Sequence, residues 1–266
     1  MGGFLIVNPR SGKGGPDVSE LCAEAGRRGI ATHVLREGDD PASLAREAEP
    51  PLGAAGGDGS LAAVAEVALE RDVLFVVVPY GTRNHFARDL GLDRDDPMAA
   101  LDAFSGSERR VDVGRVNDRL FLNNVSLGLY ARLVHRRERH RRRRELFARL
   151  RALGLLARQP GPLGITIDGR RVEARVAVVA NNAYNLELLS VGERERLDEG
   201  RLYLYVAHGW LPGSWDEEAG EGFTIDAPAG RLRAAVDGEP EELETPIRFK
   251  IEPLGLRLLV PRAPEA

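Results

Sequence analysis

The chain has 266 residues, of which 43% are hydrophobic and 29% charged, with a formal net charge of −4, so it is long enough for one large domain or two of ordinary size. A single cysteine, Cys22, excludes an internal disulfide, and no apolar run reaches membrane-spanning length. The first residues have neither the basic region nor the long apolar region of a secretion signal, and the sequence therefore predicts a cytoplasmic protein.

The first part of the chain, residues 3–106, alternates between strand and helix patterns. Such alternation predicts a parallel sheet covered by helices, and hence an α/β N-terminal domain over residues 1–106. The segment 52–55 is poor in strand-forming residues and is predicted as a strand only because it leads into a glycine-rich loop. The predicted strands lie at 4–8, 31–36, 52–55 and 73–78, and the predicted helices near 17–28, 41–48, 60–70, 84–90 and 97–104.

After residue 106 the pattern changes to strands joined by turns, with one long helical insertion at about 129–158. This pattern predicts a second domain over residues 107–266, a mostly antiparallel β-sandwich. The predicted strands are 111–116, 119–125, 163–167, 172–180, 202–207, 232–236, 247–251 and 256–260.

The loop Gly-Gly-Asp-Gly-Ser at 56–60 runs directly into helix-forming residues. Its glycines allow the backbone to approach an anion, and the free N–H groups of a first helical turn supply donors. Asp58 would repel a phosphate unless a cation lies between them, which points to Mg²⁺ carried in with a nucleotide. An ordinary glycine-rich turn is the alternative interpretation.

Two further loops follow predicted parallel strands, one at 8–14 and one at 79–84. Ligands of open α/β sheets bind at the edge formed by the carboxyl ends of the strands, so the three loops are candidates for one site. None of them fits the P-loop or the dinucleotide-binding fingerprint.

Taken in order, Asn-Pro-Arg-Ser-Gly-Lys-Gly at 8–14, Gly-Gly-Asp-Gly-Ser at 56–60 and Pro-Tyr-Gly-Thr-Arg-Asn-His-Phe-Ala-Arg at 79–88 resemble the catalytic domain of the diacylglycerol kinase family, bacterial branch. The resemblance implies a kinase that uses ATP and Mg²⁺ to phosphorylate a lipid hydroxyl, on the fold that this family is expected to share with NAD kinases. It continues through Leu-Asn-Asn-Val-Ser-Leu-Gly at 122–128, Asp-Glu-Gly at 198–200 and Val-Asp-Gly-Glu-Pro at 236–240.

The resemblance implies that the three loops bind the nucleotide and that Asp58 contributes to catalysis and holds the metal. Lys13 is also open to a simpler interpretation, as a solvent-exposed lysine next to glycine. The implied nucleotide contacts are Asn8, Pro9, Ser11, Gly12, Lys13, Gly56, Gly57, Asp58, Gly59, Ser60, Gly81, Thr82 and Asn84.

The candidate catalytic group of the second domain is Asp237-Gly238-Glu239. From spacing alone Asp-Gly between strands favours a simple hairpin turn, and Asp168-Gly169 is predicted to be only that. For the later copy the resemblance implies a catalytic motif, with Glu239 as general base and Asp237 as its partner or as a Mg²⁺ contact.

The sequence departs from the family pattern at several positions. Ser60 stands where threonine is usual, and it keeps the hydroxyl group. His85 stands where many members carry aspartate, which leaves the control of ATP binding open. Glu199 occupies an acidic position of a loop that resembles the family's structural metal loop, but Tyr203 replaces a further acidic residue there.

Positive charge is concentrated between Arg132 and Arg151, where ten arginines stand against Glu138 and Glu145. Such a segment attracts phosphate groups, and a solvated helix face is the alternative. Because aromatic residues suited to base stacking are scarce, we expect an anionic membrane surface and not nucleic acid as its partner. The protein would then lie at the inner face of the membrane, as a monomer or an oligomer.

The sequence therefore predicts a lipid kinase that holds Mg-ATP between its two domains. One alternative is a soluble small-molecule kinase of NAD-kinase type. The other is a membrane-associated nucleotide-binding protein without catalysis.

Overall fold

The computed structural model describes residues 2–11, 16–81, 84–128, 163–185, 194–208 and 215–262. The chain forms two compact units, each built from separate stretches of sequence. The first unit contains Met1–Val113, Tyr184–Gly200 and Glu252–Ala266, and the second contains Gly114–Ala183 and Arg201–Ile251. The predicted domain limits, 1–106 and 107–266, stay a prediction, and the predicted helical insertion at 129–158 lies outside the described residues.

Strands alternate with helices in the first unit, as predicted. Side-chain caps fix helix starts: Asp17 accepts the backbone N–H of Ser19 at 2.8 Å and Asp40 that of Ser43 at 3.1 Å. The helix predicted near 97–104 is a 3₁₀ helix, Ala99–Ser105. The other elements are β1 (Phe4–Val7), α1 (Val18–Arg27), β2 (Ala31–Val34), α2 (Pro41–Glu47), β3 (Leu52–Gly56), α3 (Asp58–Glu70), β4 (Phe75–Pro79) and α4 (His85–Asp89).

The first four strands are parallel and lie in the order β2-β1-β3-β4. The weakly predicted strand β3 is confirmed, and its small residues have a packing reason. A Cβ atom on Gly53 would lie 2.6 Å from the ring of Phe104, so only glycine fits there. Leu5, Val7, Val76 and Val78 of the neighbouring strands pack with Leu21 of α1 in the core of this unit.

The second unit consists mainly of antiparallel strands. The strands that follow α4 are β5 (Ser107–Val116), β6 (Arg119–Phe121), β7 (Asn124–Gly128), β8 (Leu163–Ile167), β9 (Arg170–Ala174), β10 (Val176–Asn181), β11 (Leu202–Ala207), β12 (Trp215–Gly220), β13 (Gly222–Asp226), β14 (Arg231–Val236), β15 (Glu239–Glu244) and β16 (Ile247–Val260). One sheet has the strand order β12-β11-β10-β7-β14-β15.

A second antiparallel layer of this unit is formed by β9, β8, β13 and the beginning of β16. Side chains of both layers share one core, in which the rings of Phe121 and Phe249 meet edge to face at 6.4 Å between centroids. The predicted fold class, an α/β domain followed by an antiparallel β-sandwich, is therefore confirmed. The last strand belongs to both units, because its residues from 252 onward lie in the first unit, where Leu258 pairs with Phe75 of β4.

Several predicted strand limits are wrong. The segment 172–180 contains two strands, β9 and β10, and the two strands predicted at 247–251 and 256–260 are one strand, β16. Strands β12 and β15 were not predicted because they lie at the two edges of their sheet and carry mostly exposed acidic residues. A strand of this kind shows no alternation of apolar and polar residues.

Candidate functional site

The order of the parallel strands places a topological switch point between β1 and β3. From β1 the chain moves outward to β2 on one side, and it then returns to add β3 and β4 on the other side. Loops that leave the carboxyl ends of β1 and β3 therefore diverge and open a crevice, which is where doubly wound sheets bind ligands. Asn8 and Gly57 are the first residues beyond these two strands.

Asn8 connects the first two predicted loops. Its side-chain Nδ2 donates to Ser60 Oγ at 2.8 Å, and its backbone N–H donates to the Ala55 carbonyl at 2.8 Å. Its Oδ1 accepts the backbone N–H of Arg10 at 3.0 Å. The structure thus brings the Asn8 loop and the Gly-Gly-Asp-Gly-Ser loop into contact.

The Gly-Gly-Asp-Gly-Ser loop is the start of α3. Gly57 is the N-cap residue and has no side chain to satisfy the first helical N–H groups. Glycine is required at Gly56, because a Cβ there would lie 2.8 Å from the Cβ of Ser60. Asp58, in the first turn, is buried. A helix start without a side-chain cap offers its N–H groups and its positive dipole end to an anion.

The third loop packs against the second. A Cβ on Gly81 would lie 2.8 Å from Gly57 Cα and 2.8 Å from Asn84 Oδ1. Asn84 is fully buried and has left-handed backbone angles, with φ 42° and ψ 49°. Its Nδ2 donates to the Gly81 carbonyl at 2.9 Å, while its Oδ1 has no hydrogen-bond partner within the part of the chain that the structure describes. A buried acceptor of this kind, beside a glycine cradle, fits a site that takes a polar ligand.

Tyr80 lies between the end of β4 and Gly81, and it is buried in the core of the first unit. Burial raises the pKa of its phenol, and the charges of Asp17 and Glu20 act in the same direction. The neutral O–H group therefore persists and donates to the Pro16 carbonyl at 2.7 Å. This bond ties the end of the first loop to the end of β4.

Three of the predicted nucleotide contacts, Gly12, Lys13 and Thr82, lie outside the described residues, as does the basic segment Arg132–Arg151. Ser11 lies near the second loop, with its Oγ 3.9 Å from the position of a Cβ on Gly57. Pro9 is exposed. His85, the unusual residue after Asn84, is the first residue of α4 and is also exposed.

In the second unit, Asp237 and Gly238 form the two-residue turn between β14 and β15, with φ 47° and 83°. The Asp237 carboxylate accepts three backbone N–H groups: Leu122 at 2.7 Å, Asn123 at 2.7 Å and Asn124 at 3.1 Å. This carboxylate therefore anchors the turn to the start of β7. Glu239, the first residue of β15, is exposed.

A group of buried amides, which was not predicted from the sequence, lies beside this turn in the second unit. Asn181 donates from Nδ2 to the Leu122 carbonyl at 3.1 Å, and Asn182 donates from Nδ2 to Asn181 Oδ1 at 3.2 Å. Both are fully buried, and Asn123 is nearly so. The sequence contained a signal for these amides, because Asn181 and Asn182 follow an apolar run just as Asn123 and Asn124 do.

The loop proposed to hold a structural metal is organised by protein contacts in the first unit. Asp112, which is buried, accepts the backbone N–H of Gly200 at 2.7 Å and that of Leu254 at 2.8 Å. Asp198 accepts from Arg196 Nε at 3.0 Å. Among the described residues, no group of three or more His, Cys, Asp or Glu side chains could hold a metal ion, so the role of Glu199 stays a prediction.

Over the described ranges, no helix is both long and apolar enough to cross a bilayer.

Comparison with known proteins finds relatives of the part of the chain that carries these loops. The family model described as "Diacylglycerol kinase catalytic domain" matches residues 3–116. A diacylglycerol kinase of Bacillus subtilis is 33% identical over 143 residues, which cover 49% of this chain and 47% of that protein. A protein of Pseudomonas aeruginosa named "Probable lipid kinase YegS-like" is 38% identical over 118 residues, covering 42% of this chain and 38% of that protein. The matched part thus spans less than half the length of each of these relatives.

The fold is shared over a longer range. A crystal structure of a diacylglycerol kinase from Bacillus anthracis str. Sterne superposes with a TM-score of 0.68 and 18% identity, covering 97% of this chain and 96% of that chain. At this identity the likeness concerns the fold alone. The resemblance predicted from the three loops is confirmed, because residues 3–116 match the model of the diacylglycerol kinase catalytic domain.

Proposed function

We propose that the protein is a lipid kinase that transfers the γ-phosphate of Mg-ATP to the hydroxyl group of diacylglycerol or a related lipid. The observation that carries this proposal is the packing of three loops at the switch point of a sheet whose residues match the diacylglycerol kinase catalytic domain. The names of the relatives support a lipid as the acceptor.

The nucleotide phosphates would bind at the uncapped start of α3. The cradle would be formed by Asn8, Gly57, Ser60 and Gly81, since the glycines let these loops pack closely and the start of α3 has no side-chain cap on its N–H groups. We include the other predicted contacts in the same site: Pro9, Ser11, Gly12, Lys13, Gly56, Gly59, Thr82 and Asn84.

Asp58 would hold the Mg²⁺ that accompanies ATP, because a carboxylate in the first turn of α3 is otherwise repelled by phosphate. The bound metal would offset negative charge on the transferred phosphoryl group. We also retain Glu199 as a proposed ligand of a structural metal.

Glu239 would act as general base. The lipid hydroxyl oxygen attacks the γ-phosphorus, the bond from that phosphorus to the ADP oxygen breaks, and the hydroxyl proton passes to the Glu239 carboxylate. Asp237 would position Glu239, since its carboxylate is already bonded to three backbone N–H groups. This assignment favours the partner role over a metal contact.

The proposal also includes the predicted location of the nucleotide and the predicted membrane partner. Mg-ATP would bind between the two domains, and the basic segment Arg132–Arg151 would attract an anionic membrane surface at the inner face of the membrane. Both rest on the sequence and the family resemblance.

The proposal can be tested by transfer of label from γ-labelled Mg-ATP to a panel of lipids in mixed micelles, with NAD as a soluble acceptor. We expect label in a lipid, and we expect its loss in Asp58→Asn. Asp72→Asn is the matched control, because Asp72 lies just beyond the other end of α3 and is exposed. Label in NAD alone would indicate the soluble kinase, and ATP binding without transfer would indicate a nucleotide-binding protein without catalysis.

A further inference from the structure

The first unit contains a buried ion pair outside the loops described above. Arg194 Nε donates to Asp89 Oδ2 at 2.7 Å, and the exposed fractions of the two side chains are 0% and 2%. The partners are 105 residues apart in sequence. Such a pair is not needed to make a stable core, because apolar residues of similar volume often serve as well.

The pair is part of a larger arrangement around the end of α4. Arg88 donates from Nη2 to the other carboxylate oxygen of Asp89 at 2.8 Å. The Arg194 guanidinium carbon also lies 6.0 Å from the centroid of the Phe86 ring, within cation–π range. Both Asp89 oxygens therefore face a guanidinium group, and Arg194 contacts two side chains of the same short helix.

This helix directly follows Asn84. The backbone N–H of Arg88 donates to the Asn84 carbonyl at 3.0 Å, so the position of α4 fixes the backbone of Asn84. Asparagine tolerates left-handed angles better than most residues with a side chain, and the bond from Arg88 holds Asn84 in them. On its other side, Arg194 begins the segment 194–200, whose end is bonded to Asp112 through the Gly200 N–H.

We propose that Asp89 and Arg194 are positioning residues of the nucleotide site. Because a buried charge without its partner is strongly unfavourable, the pair permits one placement of α4 on segment 194–200. That placement keeps the Asn84 amide against Gly81, and Gly81 against Gly57, at the start of α3. The inference rests on the proposed function, because it assigns the pair to that site.

The test is the dissociation constant of Mg-ADP, measured by calorimetry at 10 °C on the full chain, for the wild type, Asp89→Asn, Arg194→Gln and the double variant. We expect each single variant to bind more weakly by about 5- to 150-fold, the range of ordinary coupling between sites. The double variant should bind no more weakly than the worse single variant, since the unpaired charge is then gone. Glu70→Gln is the control, because it breaks the exposed Arg46–Glu70 pair of the same unit.

A thermal unfolding scan of each variant separates positioning from simple stabilisation. If the variants unfold earlier but bind Mg-ADP as tightly as the control at 10 °C, the pair is structural only and the inference is wrong. If the wild type itself binds no Mg-ADP, the proposed function falls and the inference falls with it. Additive effects in the double variant would also overturn it, because the two residues would then act independently.

Discussion

Two hairpins of the second unit have the same dipeptide, Asp-Gly, at their turns. Asp168-Gly169 joins β8 to β9, and Asp237-Gly238 joins β14 to β15. Their backbones match, with φ 47° and 79° in the first turn and 47° and 83° in the second. Both need positive φ at two consecutive positions, which is why asparagine or aspartate followed by glycine is favoured there.

The two turns differ in how many backbone N–H groups the aspartate carboxylate accepts. Asp168 accepts one backbone N–H, from Thr224 at 2.8 Å, whereas Asp237 accepts three from residues 122–124. The residue after each glycine differs too: Arg170 makes an exposed ion pair with Glu218, while Glu239 is the proposed base. Local sequence therefore fixes the shape of both turns, and distant backbone donors distinguish the anchoring turn from the simple one.

The largest expected effect is a loss of kinase activity when the residue after the second turn, Glu239, is replaced. Replacing Glu239 with glutamine should lower lipid phosphorylation by about 10²- to 10⁴-fold, the usual contribution of a general base. Mg-ADP affinity and the unfolding temperature should stay at their wild-type values. The measurement is label transfer to lipid at saturating ATP.

Glu242→Gln is the matched control, because Glu242 lies on the same strand and its ion pair with Arg231 is exposed. Equal activity in the two variants would show that Glu239 is not the base.

The next largest effect is a difference in the free energy of unfolding when the aspartate of each turn is replaced. Asp237→Asn replaces a carboxylate oxygen with an NH₂ group that cannot accept, and it should lower the free energy of unfolding by about 1.5–3 kcal/mol, given the strength of hydrogen bonds to charged groups. Asp168→Asn should cost about 1 kcal/mol or less, because one neutral bond replaces one charged bond. Urea unfolding of both variants measures this, and equal losses would contradict the comparison.

The glycines should show that the turns themselves are alike. Apart from the chain neighbours, no heavy atom of the described residues lies within 4 Å of a Cβ placed on Gly169 or Gly238. Alanine at either position therefore costs only the left-handed backbone, about 1–2 kcal/mol. We expect equal losses in urea unfolding, and a clearly larger loss at Gly238 would reveal a contact that the turn geometry does not explain.

The smallest effect is a pH dependence near the first hairpin. His208 faces the Glu173 carbonyl of β9 at 3.0 Å and Asp216 of β12 at 2.7 Å. Both ring nitrogens face acceptors, so only the protonated ring donates to both, and the pKa of His208 is raised, first by the carbonyl and then by Asp216.

This contribution to stability is fully present below the unfolded-state pKa of about 6.5 and is lost as pH rises through the raised folded-state pKa. Thermal unfolding between pH 5.5 and 8.5 should therefore show a fall with rising pH that is smaller in His208→Gln. Because the pair is exposed, parallel curves for the two proteins would mean that it contributes nothing measurable.

Much of the first unit could be predicted from sequence. Buried strands followed by glycine-rich loops predicted both the parallel sheet and the meeting of Asn8 with the loop at 56–60, because strand ends share one edge. Even the weak strand at 52–55 was placed correctly, because a glycine-rich loop comes directly after it.

The features that could not be predicted depend on distant contacts. Strands β12 and β15 lack apolar alternation since they are edge strands, and only their neighbours make them strands. Nothing local distinguishes Asp237 from Asp168, because the donors of 122–124 come from far along the chain. The same holds for Asp89 and Arg194, which are ordinary charged residues until the fold buries them.

The division of β16 between the two units has a consequence for biosynthesis. During translation β4 leaves the ribosome long before Leu258 and Leu259, its neighbours on the outer side, have been made. The first unit is also incomplete until segment 194–200 has been synthesised, because this segment supplies Arg194, the ion-pair partner of Asp89 in α4. An N-terminal fragment ending near residue 113 would therefore expose the edge of β4 and leave Asp89 without Arg194, with Arg88 as its remaining ion-pair partner. Attempts to express the first unit alone should retain residues 194–200 and 252–260, for example by circular permutation.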